Sequence, residues 1–265
     1  MAQEWTLVTG ASEGIGKEFA RIAASKGRPV ILAARSEDKL KALADELEKD
    51  HGVETAVLVA DLAEPKGAKK LWTAATKGKR RIDFLINNAG LGRNGAFDDA
   101  ETFGGWEREA TSIQVNVVAL TELCKLAVPH LKEAERGRIL NVASVAGFMP
   151  GPGMAVYNAT KAYVLNLSQA LQAELEDSDV SVTALCPGAT ESNFFSDAEM
   201  KSARVTSIGG KLPTAKEVAL EGWNAAIRGQ AAHVPGFKNK VAVWTSKLLP
   251  APAVAAIGKY MLERE

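Results

Sequence analysis

The stretch TGASEGIG, residues 9–16, places three glycines within seven positions near the start of the chain. A glycine costs roughly 0.5–1 kcal/mol relative to alanine inside regular structure. Either a tight turn or a ligand that needs bare backbone must offset that cost. The apolar run WTLVT (5–9) comes before the glycines, and Phe19, Ile22 and Ala23 follow at helical spacing. The predicted order is therefore strand, glycine turn, helix.

That order is the context in which a glycine-rich turn binds a dinucleotide. Gly10 permits the sharp turn, Gly14 lets the backbone approach the pyrophosphate, and Gly16 lets the helix pack closely on the sheet. The helix N-terminus then offers unpaired N–H groups and the positive end of its dipole to the phosphates. Taken alone, the segment also fits a purely structural tight turn.

Short apolar runs alternate with helical patterns along much of the chain. Several runs are continuously apolar, as strands are when both faces of a sheet are covered. Such alternation predicts parallel strands joined by right-handed crossovers. We therefore predict an α/β fold with a single doubly wound, Rossmann-type parallel sheet and helices on both faces. The predicted strands are 5–9, 29–34, 54–60, 82–88, 138–144 and 180–186, with a short candidate at 231–236.

The absence of a linker or internal repeat predicts one dinucleotide-binding domain over residues 1–265. Residues 189–212 show no clear strand, and a loop of this length inside a domain is typical of a lid over a binding site. A mixed C-terminal tail covers about 237–265. A position on a membrane surface is one interpretation of this tail. Docking on its own domain or on a neighbouring subunit is the interpretation we favour.

Composition argues against several classes of function. The chain carries 32 basic and 32 acidic side chains, so charge gives no reason to expect a nucleic acid as partner. Cys124 and Cys186 lie far apart in apolar runs without metal-ligand spacing, which predicts buried free thiols, no metal and a cytoplasmic location. The N-terminus lacks the pattern of a signal peptide. No apolar run reaches the ~18 residues of a membrane span.

Five features of the sequence occur in a fixed order. They are the turn TGASEGIG (9–16), NNAG (87–90), Asn116, Ser144 followed thirteen residues later by YNATK (157–161), and PG (187–188). In order and spacing these features resemble the short-chain dehydrogenase/reductase family. The resemblance covers about residues 5–192 and implies a nicotinamide-dependent oxidoreductase.

The resemblance implies a catalytic set of Asn116, Ser144, Tyr157 and Lys161. Tyr157 and Lys161 are four apart in a helical pattern and share a face. A phenol has a pKa near 10, and a nearby cation favours the phenolate. Tyr157 is therefore expected to be the general acid of carbonyl reduction or the base of alcohol oxidation. Ser144 would hold the substrate oxygen. By resemblance, Lys161 also binds the nicotinamide ribose, and Asn116 holds a water that links Lys161 to solvent.

Each of these residues, taken singly, also has a structural explanation as a surface pair, a turn serine or a buried amide. Together with the glycine turn, the four favour a short-chain NAD(P)-dependent dehydrogenase/reductase. A non-catalytic cofactor sensor of the same fold is an alternative and would be expected to lack one of them. A sugar-nucleotide epimerase is a second alternative, and would be expected to have a T-G-x-x-G-x-x-G turn and a larger C-terminal domain.

The cofactor preference depends on Arg35, which follows the second predicted strand where an acidic residue would favour NAD(H). A guanidinium suits the 2′-phosphate of NADP(H), so NADP(H) is the favoured cofactor. The carboxylate of Glu13 would repel a 2′-phosphate unless Arg35 or Lys17 neutralises it. Asp61 resembles the family aspartate that meets the adenine amino group, with helix N-capping as its alternative role.

The resemblance places further residues along the cofactor. Asn88 and Gly90 are expected on the adenosine side. After the sixth strand the family often has P-G-x-V-x-T, and this chain has Thr190 and Ser192 at the two variant positions. The whole expected cofactor set is Gly10, Ser12, Gly14, Ile15, Gly16, Arg35, Asp61, Leu62, Asn88, Gly90, Tyr157, Lys161, Pro187, Gly188, Thr190 and Ser192.

The candidate substrate walls are residues 92–97, residues 146–154 and the lid. Their apolar side chains and few charges predict a hydrophobic ketone or secondary alcohol, or an acyl-type substrate. Packing into the core or a subunit interface is the alternative for each of them. The expected reaction transfers a hydride between nicotinamide and this small molecule. The resemblance also implies a homodimer or homotetramer, paired through the long helices that hold Asn116 and Tyr157.

Overall fold

Strands and helices alternate in the computed structural model, which describes residues 3–98, 105–191 and 212–262. The strands are β1 (Glu4–Thr9), β2 (Val30–Ala34), β3 (Thr55–Val59), β4 (Arg81–Asn87), β5 (Gly137–Val142), β6 (Val180–Leu185) and β7 (Ala232–His233). The helices are α1 (Gly14–Ser25), α2 (Glu37–His51), α3 (Gly67–Ala75), α4 (Gly105–Ile113), α5 (Leu120–Leu131), α6 (Ala155–Glu174), α7 (Ala215–Ile227), α8 (Phe237–Leu248) and α9 (Ala251–Leu262). A π-helix, Gln114–Ala119, joins α4 to α5, and 3₁₀ turns cover Lys77–Lys79 and Val145–Phe148.

The seven strands form one parallel sheet in the order β3-β2-β1-β4-β5-β6-β7. Val8 of β1 pairs with Leu32 of β2 on one side and with Ile86 of β4 on the other. The chain therefore winds outward to β3, returns to the middle and winds outward again to β7. The change of direction lies between β1 and β4, and such switch points open a crevice beyond the carboxyl ends of the strands.

Apolar side chains bury both faces of the sheet. On one face, Phe19 of α1, Leu43 of α2 and Trp223 of α7 join a buried cluster with alternate strand residues. On the other face, Leu71 of α3 and Leu123 of α5 join a second cluster, together with residues of α6. The doubly wound sheet with helices on both faces, predicted from the continuous apolar runs, is confirmed.

The first two helices follow the sequence pattern closely. Phe19, Ile22 and Ala23 are buried in α1, and Gly27 ends the helix with φ at +72°, a conformation that suits glycine. The spacing of Leu40, Leu43 and Leu47 in the sequence also predicts a helix over residues 39–48. Helix α2 is three residues longer than that segment at its C-terminal end and two at its N-terminal end. The predicted apolar positions of α2 are all buried, namely Leu40, Leu43 and Leu47.

One described helical stretch, Gly105–Leu131, is long and apolar enough to cross a membrane by length and composition, with a mean hydropathy of 1.2. The sequence did not predict such a stretch, because it forms only when α4 and α5 are joined by the π-helix. Its C-terminal half, α5, packs against α3, β4 and β5. This packing gives a reason for its apolar residues within the folded chain. Cys124 of α5 is a buried free thiol, as is Cys186, which confirms that prediction.

The predicted lid lies largely outside the described residues. At its start, the Glu191 N–H donates to the Pro213 carbonyl oxygen at 3.0 Å, so the chain on either side of residues 192–211 comes together. The tail beyond residue 237 forms α8 and α9, and α8 packs against the 3₁₀ turn Val145–Phe148. Docking of the tail on its own domain, the favoured interpretation, is therefore found.

Candidate active site

A cleft of about 1390 Å³ opens beyond the carboxyl ends of the strands. A pocket of this size exceeds the ~300–1,000 Å³ typical of one small ligand. Gly16 and Asn116 are described but lie behind the lining, and Ser192 lies outside the described residues. The other expected site residues line the cleft: Gly10, Ser12, Gly14, Ile15, Arg35, Asp61, Leu62, Asn88, Gly90, Ser144, Tyr157, Lys161, Pro187, Gly188 and Thr190.

The glycine turn has the geometry of an anion cradle. Gly10 and Gly14 have φ at +64° and +55°, in the left-handed region that glycine tolerates. A Cβ on Gly16 would lie 2.2 Å from the Gly10 carbonyl oxygen, so the helix approaches the turn as only glycine allows. Glu13, the N-cap of α1, makes no side-chain cap to the first turn. The first N–H groups of α1 are therefore free of a cap and fit the pyrophosphate of a dinucleotide.

Asn88 holds this turn in place. Its side-chain amide donates to the Thr9 and Gly10 carbonyl oxygens at 3.0 and 3.1 Å. The Thr9 hydroxyl in return accepts from the backbone N–H groups of Asn88 and Ala89 at 3.0 and 3.1 Å. Asn88 lines the cleft as the resemblance implies, but the hydrogen bonds of its side chain go to the turn. Its main effect is therefore to position the glycines.

The expected adenosine side presents one exposed cation. Arg35 lines the cleft and makes no hydrogen bond or ion pair with any described residue. The carboxylate of Glu13 pairs with Lys39 at 3.1 Å, and Lys17 lies 3.9 Å from Glu46. The sequence suggested Arg35 or Lys17 as the neutralising partner of Glu13, and in the structure that partner is Lys39. The objection to a 2′-phosphate near Glu13 is weaker as a result.

Asp61 also lines this side. Its Oδ1 accepts from the Ala63 N–H at 2.8 Å and closes a local turn. The N-cap of α3 is Lys66, so the alternative role of Asp61 as a helix N-cap is wrong. The carboxylate keeps its position beside the cleft.

Three polar side chains meet on the opposite wall. The Ser144 hydroxyl accepts from the Ala146 N–H at 3.1 Å, donates to the Pro187 carbonyl oxygen at 3.3 Å and is hydrogen-bonded to Tyr157. Lys161 lies one turn beyond Tyr157 on α6, as the spacing predicts. Its ammonium group donates to the Val142 carbonyl oxygen at 2.8 Å and lies 5.7 Å from the centre of the Tyr157 ring.

Burial dominates the ionisation of this pair. Burial raises the pKa of Tyr157 to about 12, and the hydrogen bond between Tyr157 and Ser144 partly opposes this rise. Burial lowers the pKa of Lys161 to about 8. From the sequence, the lysine ammonium together with a bound nicotinamide ring was expected to lower the pKa of the tyrosine. With the protein's own groups alone the shift is upward. The reason is that the ammonium group faces a backbone carbonyl and the ring, whereas Ser144 meets the phenol oxygen. The lowering with cofactor stays a prediction.

Asn116 lies in the π-helix and is 1% exposed. Its amide accepts from the Leu91 N–H at 2.9 Å and donates to the Leu91 carbonyl oxygen at 2.8 Å and to the Thr160 hydroxyl at 3.0 Å. Thr160 in turn donates to the Tyr157 carbonyl oxygen at 2.7 Å. In these contacts Asn116 joins the loop after β4 to the first turns of α6. Its implied role in holding a water remains a prediction.

Two residues near the cleft were not predicted from the sequence. Thr9 precedes the glycines directly, and its position at a strand end was the available signal. Asn239 of α8 lies against Gly188, where a Cβ would be 2.3 Å from the Asn239 Oδ1. The Asn239 amide also donates to the Pro235 carbonyl oxygen at 2.8 Å. No local pattern marked Asn239, because its contact depends on how α8 folds back over the sheet.

The apolar part of the cleft is formed mainly by the 3₁₀ region and the C-terminal helices. Of the expected wall 146–154, Met149 and Met154 line it, whereas the Phe148 ring packs beneath Lys247 at 5.4 Å. None of residues 92–97 lines the cleft, so that part of the expectation is wrong. Gly95 instead donates to the Gly153 carbonyl oxygen at 2.8 Å and supports the wall from behind. Residues of α8 and α9 complete the wall, namely Ala242, Leu249, Val254 and Ile257.

We predict that Gly16→Ala disrupts the cradle. The new Cβ would lie 2.2 Å from the Gly10 carbonyl oxygen and 2.4 Å from the Asn88 amide nitrogen. The turn must open, so we expect a loss of about 2 kcal/mol in the free energy of unfolding and at least a roughly tenfold loss in dinucleotide affinity. Urea unfolding and a fluorescence titration with NADPH measure the two effects.

The matched control is Gly27→Ala at the other end of α1. Gly27 has φ at +72°, and a Cβ added there would meet no atom within 4 Å. We expect it to cost about 1 kcal/mol of stability through backbone strain without a change in NADPH affinity. Equal losses of affinity in the two variants would contradict the assigned role of Gly16.

We also predict that Lys161→Met stabilises the fold at neutral pH. Below pH 8 the lysine is protonated in both states, and burying its charge costs about 3 kcal/mol. Since the pKa is lower in the folded state, this cost disappears as pH rises from 8 to the unfolded value of 10.5. The loss of the hydrogen bond to the Val142 carbonyl oxygen offsets part of the removed charge penalty. We therefore expect the free energy of unfolding to rise by about 2 kcal/mol at pH 7.

Thermal unfolding of both proteins from pH 7 to pH 10.5 measures this difference, which should shrink along the series. Lys69→Met, at an exposed position on α3, is the control and should change stability by less than about 0.5 kcal/mol. A Lys161→Met protein that is no more stable than the parent at pH 7 would refute the assigned charge penalty.

Comparisons with known proteins agree with this geometry. The sequence of residues 4–202 matches the short chain dehydrogenase family. The very-long-chain 3-oxoacyl-CoA reductase of Anas platyrhynchos is 34% identical over 185 residues, which are 69% of this chain and 58% of that protein. The 7beta-hydroxysteroid dehydrogenase of Collinsella aerofaciens is 34% identical over 187 residues, which are 71% of this chain and 69% of that protein.

Solved structures extend the likeness over nearly the whole chain. A 7beta-hydroxysteroid dehydrogenase structure has a TM-score of 0.85 at 28% identity and covers 97% of this chain and 96% of its own. A short-chain dehydrogenase from Sphingobium yanoikuyae in complex with NADPH has a TM-score of 0.81 at 34% identity, with 92% of each chain covered. One from Burkholderia phymatum in complex with NAD has a TM-score of 0.79 at 25% identity, also with 92% of each chain covered. The chain belongs to the short-chain dehydrogenase family of oxidoreductases.

Proposed function

We propose that the protein is an NADP(H)-dependent oxidoreductase that interconverts a ketone and a secondary alcohol on an apolar small molecule. The observation that carries the proposal is the hydrogen-bonded pair of Ser144 and Tyr157, with Lys161 one helical turn away, on the wall of a cleft that begins at an uncapped glycine turn. Catalytic and cofactor-binding groups thus face one space. The intact set argues against the cofactor-sensor alternative, and the glycine spacing argues against the epimerase.

The nicotinamide, when bound, supplies or accepts the hydride. Tyr157 donates or takes the proton on the substrate oxygen, and Ser144 holds that oxygen by a hydrogen bond. The raised pKa of Tyr157, caused by burial, keeps its hydroxyl protonated at neutral pH. A neutral phenol can donate its proton to the carbonyl oxygen when the carbonyl is reduced. Lys161 binds the ribose hydroxyls beside Tyr157, and Asn116 orients the loop at Leu91 and Thr160.

The preference for NADP(H) over NAD(H) is supported by Arg35. Its exposed guanidinium lines the cleft at the end of β2 without a partner among the described residues. A 2′-phosphate is the anionic group that a guanidinium at this place fits. The ion pair of Glu13 with Lys39 reduces repulsion from the only carboxylate of the glycine turn.

The substrate is proposed to be a hydrophobic ketone or acyl-type compound. Met149, Met154, Leu249 and Ile257 give the far end of the cleft an apolar wall. Two of the relatives are named for a very-long-chain 3-oxoacyl-CoA and for a 7beta-hydroxysteroid. Both names describe molecules that combine a large apolar part with an oxygen function, and the coenzyme A part of the first is polar and charged. A panel of such ketones, followed by the loss of NADPH absorbance, tests this class, and small polar ketones serve as the contrast.

We further infer a single domain over residues 1–265, a substrate-covering segment at about 189–212 and a homodimer or homotetramer. Subunit pairing is supported by three exposed apolar side chains, namely Trp106, Val118 and Tyr163, on the long helices that also hold Asn116 and Tyr157. A cytoplasmic location is supported by the two buried free thiols. Light scattering of the purified chain measures the assembly.

Tyr157→Phe is expected to lower kcat for ketone reduction by about 10²–10⁴-fold, since it removes only the acidic hydroxyl. NADPH should bind with nearly unchanged affinity. The matched control is Tyr163→Phe on the same helix, whose hydroxyl is 3.0 Å from that of Thr121. That variant should keep parental kcat. Near-normal turnover by Tyr157→Phe would reject Tyr157 as the acid.

Arg35→Asp is expected to weaken NADPH binding by about tenfold or more, because a charge-assisted hydrogen bond contributes roughly 1.5–3 kcal/mol. NADH affinity should hold or improve, since a carboxylate can accept from ribose hydroxyls. Arg228→Asp, which makes the same charge change at an exposed position outside the cleft lining, is the control. An unchanged ratio of NADPH to NADH affinity in Arg35→Asp would remove Arg35 from cofactor selection.

A further inference from the structure

The outer face of α8 carries an apolar stripe. Phe237, Val241, Trp244 and Leu248 are 80%, 45%, 66% and 63% exposed. At about 100° per residue, these four positions fall within roughly 60° of arc on the helix. Ile257 of the neighbouring helix α9 is 53% exposed and also lines the cleft. Large apolar side chains on one exposed face of a helix indicate a surface that binds a membrane or another molecule.

The same segment is strongly basic. It contains Lys238, Lys240, Lys247 and Lys259, and no aspartate or glutamate occurs from Gly229 to Leu262. The whole chain carries no net charge, so this is a local excess of four positive charges. On the helical projection, Lys240 and Lys247 lie on one side of the apolar stripe and Lys238 lies on the other. A stripe bordered by lysines is the pattern of a helix that lies in a membrane interface.

We propose that α8 and α9 dock this face on the surface of an anionic phospholipid bilayer. The apolar stripe would enter the boundary between headgroups and acyl chains, where a tryptophan ring is favoured. The lysine stems would extend along the apolar surface while their ammonium groups meet lipid phosphates. The inner face of α8 packs on its own domain, so the helix binds the lipid without leaving the fold.

A second copy of this chain fits the face less well. A two-fold contact brings the same patch of both subunits together, which would place Lys240, Lys247 and Lys259 of one subunit near the same lysines of the other. Such like-charge contacts oppose association, whereas an anionic bilayer complements them. Charge complementarity therefore selects the lipid surface as the occupant.

Docking in this way would bring the cleft to the bilayer. The other side of α8 lines the cleft through Ala242, Ser246 and Leu249, and Phe237 and Lys238 at the start of the helix line it as well. The stripe and the cleft entrance are thus formed by one helix. Docking on lipid is independent of the proposed function, because lipid binding can be measured without cofactor or substrate.

The test is co-sedimentation of the full chain with vesicles. Vesicles of phosphatidylserine and phosphatidylcholine in equal parts should bind the protein, and vesicles of phosphatidylcholine alone should bind it at least roughly tenfold more weakly. The double variant Lys240→Glu with Lys259→Glu should lose about tenfold or more of the affinity for anionic vesicles. Neither lysine lines the cleft. The control, Lys26→Glu with Lys69→Glu, changes charge equally at exposed sites elsewhere and should bind as the parent does.

Tryptophan fluorescence gives a second readout. Trp5, Trp72 and Trp223 are buried, and only Trp106 and Trp244 among the five are exposed. In a Trp106→Phe protein, anionic vesicles should shift the emission to the blue, because Trp244 enters the bilayer. Adding Trp244→Gln should abolish the shift and weaken binding.

Three results would overturn the proposal. The first is no binding to anionic vesicles, and the second is equal binding to neutral and anionic ones. The third is a concentration-dependent dimer, measured by light scattering without lipid, that Trp244→Gln dissociates. That last result would assign the face to a second copy of the chain.

Discussion

The close approach of α1 to the end of β1 is the constraint on which the rest of the site depends. Gly16 leaves no room for a Cβ against the Gly10 carbonyl oxygen, and the Asn88 amide donates to the Thr9 and Gly10 carbonyl oxygens at the turn. Buried backbone groups of this kind must be hydrogen-bonded. Gly16 and Asn88 are thus both needed to keep this turn closed. They lie far apart in the sequence but next to each other at the sheet's switch point.

From that turn, polar contacts continue almost without a break to the catalytic helix. Asn88 begins the loop after β4, Leu91 in that loop is held on both backbone atoms by Asn116, and Asn116 binds Thr160, which binds the Tyr157 carbonyl oxygen. The position of the proton donor is therefore fixed relative to the phosphate cradle by hydrogen bonds rather than by side-chain packing alone. Such satisfied buried networks specify one geometry, because any partial arrangement would leave polar groups unpaired.

The parts of the structure that depend on local patterns were predictable, and those that depend on distant segments were not. The strands and the turn at Gly10 follow from apolar periodicity and from the glycines. Tyr157 and Lys161 share a helix face because they are four residues apart. The contact of Asn239 with Gly188 and the pairing of Glu13 with Lys39 join segments that no short pattern relates. The upward shift of the Tyr157 pKa in the chain alone could not be predicted, because it is caused by burial, a property of the folded whole.

The π-helix Gln114–Ala119 has a consequence for how the chain tolerates change. A π-turn holds one residue more than an α-turn, so loss of a single codon in this stretch would let α4 and α5 merge into one regular helix. The faces of α4 and α5 would keep nearly the same relative orientation, because the loss removes the extra residue of the wide turn. The residues inside the turn would shift in register, and Asn116 would leave Leu91. Deletions here should therefore be selected against more strongly than most point substitutions, although the segment adds only Val115 to the cleft lining and carries no charge.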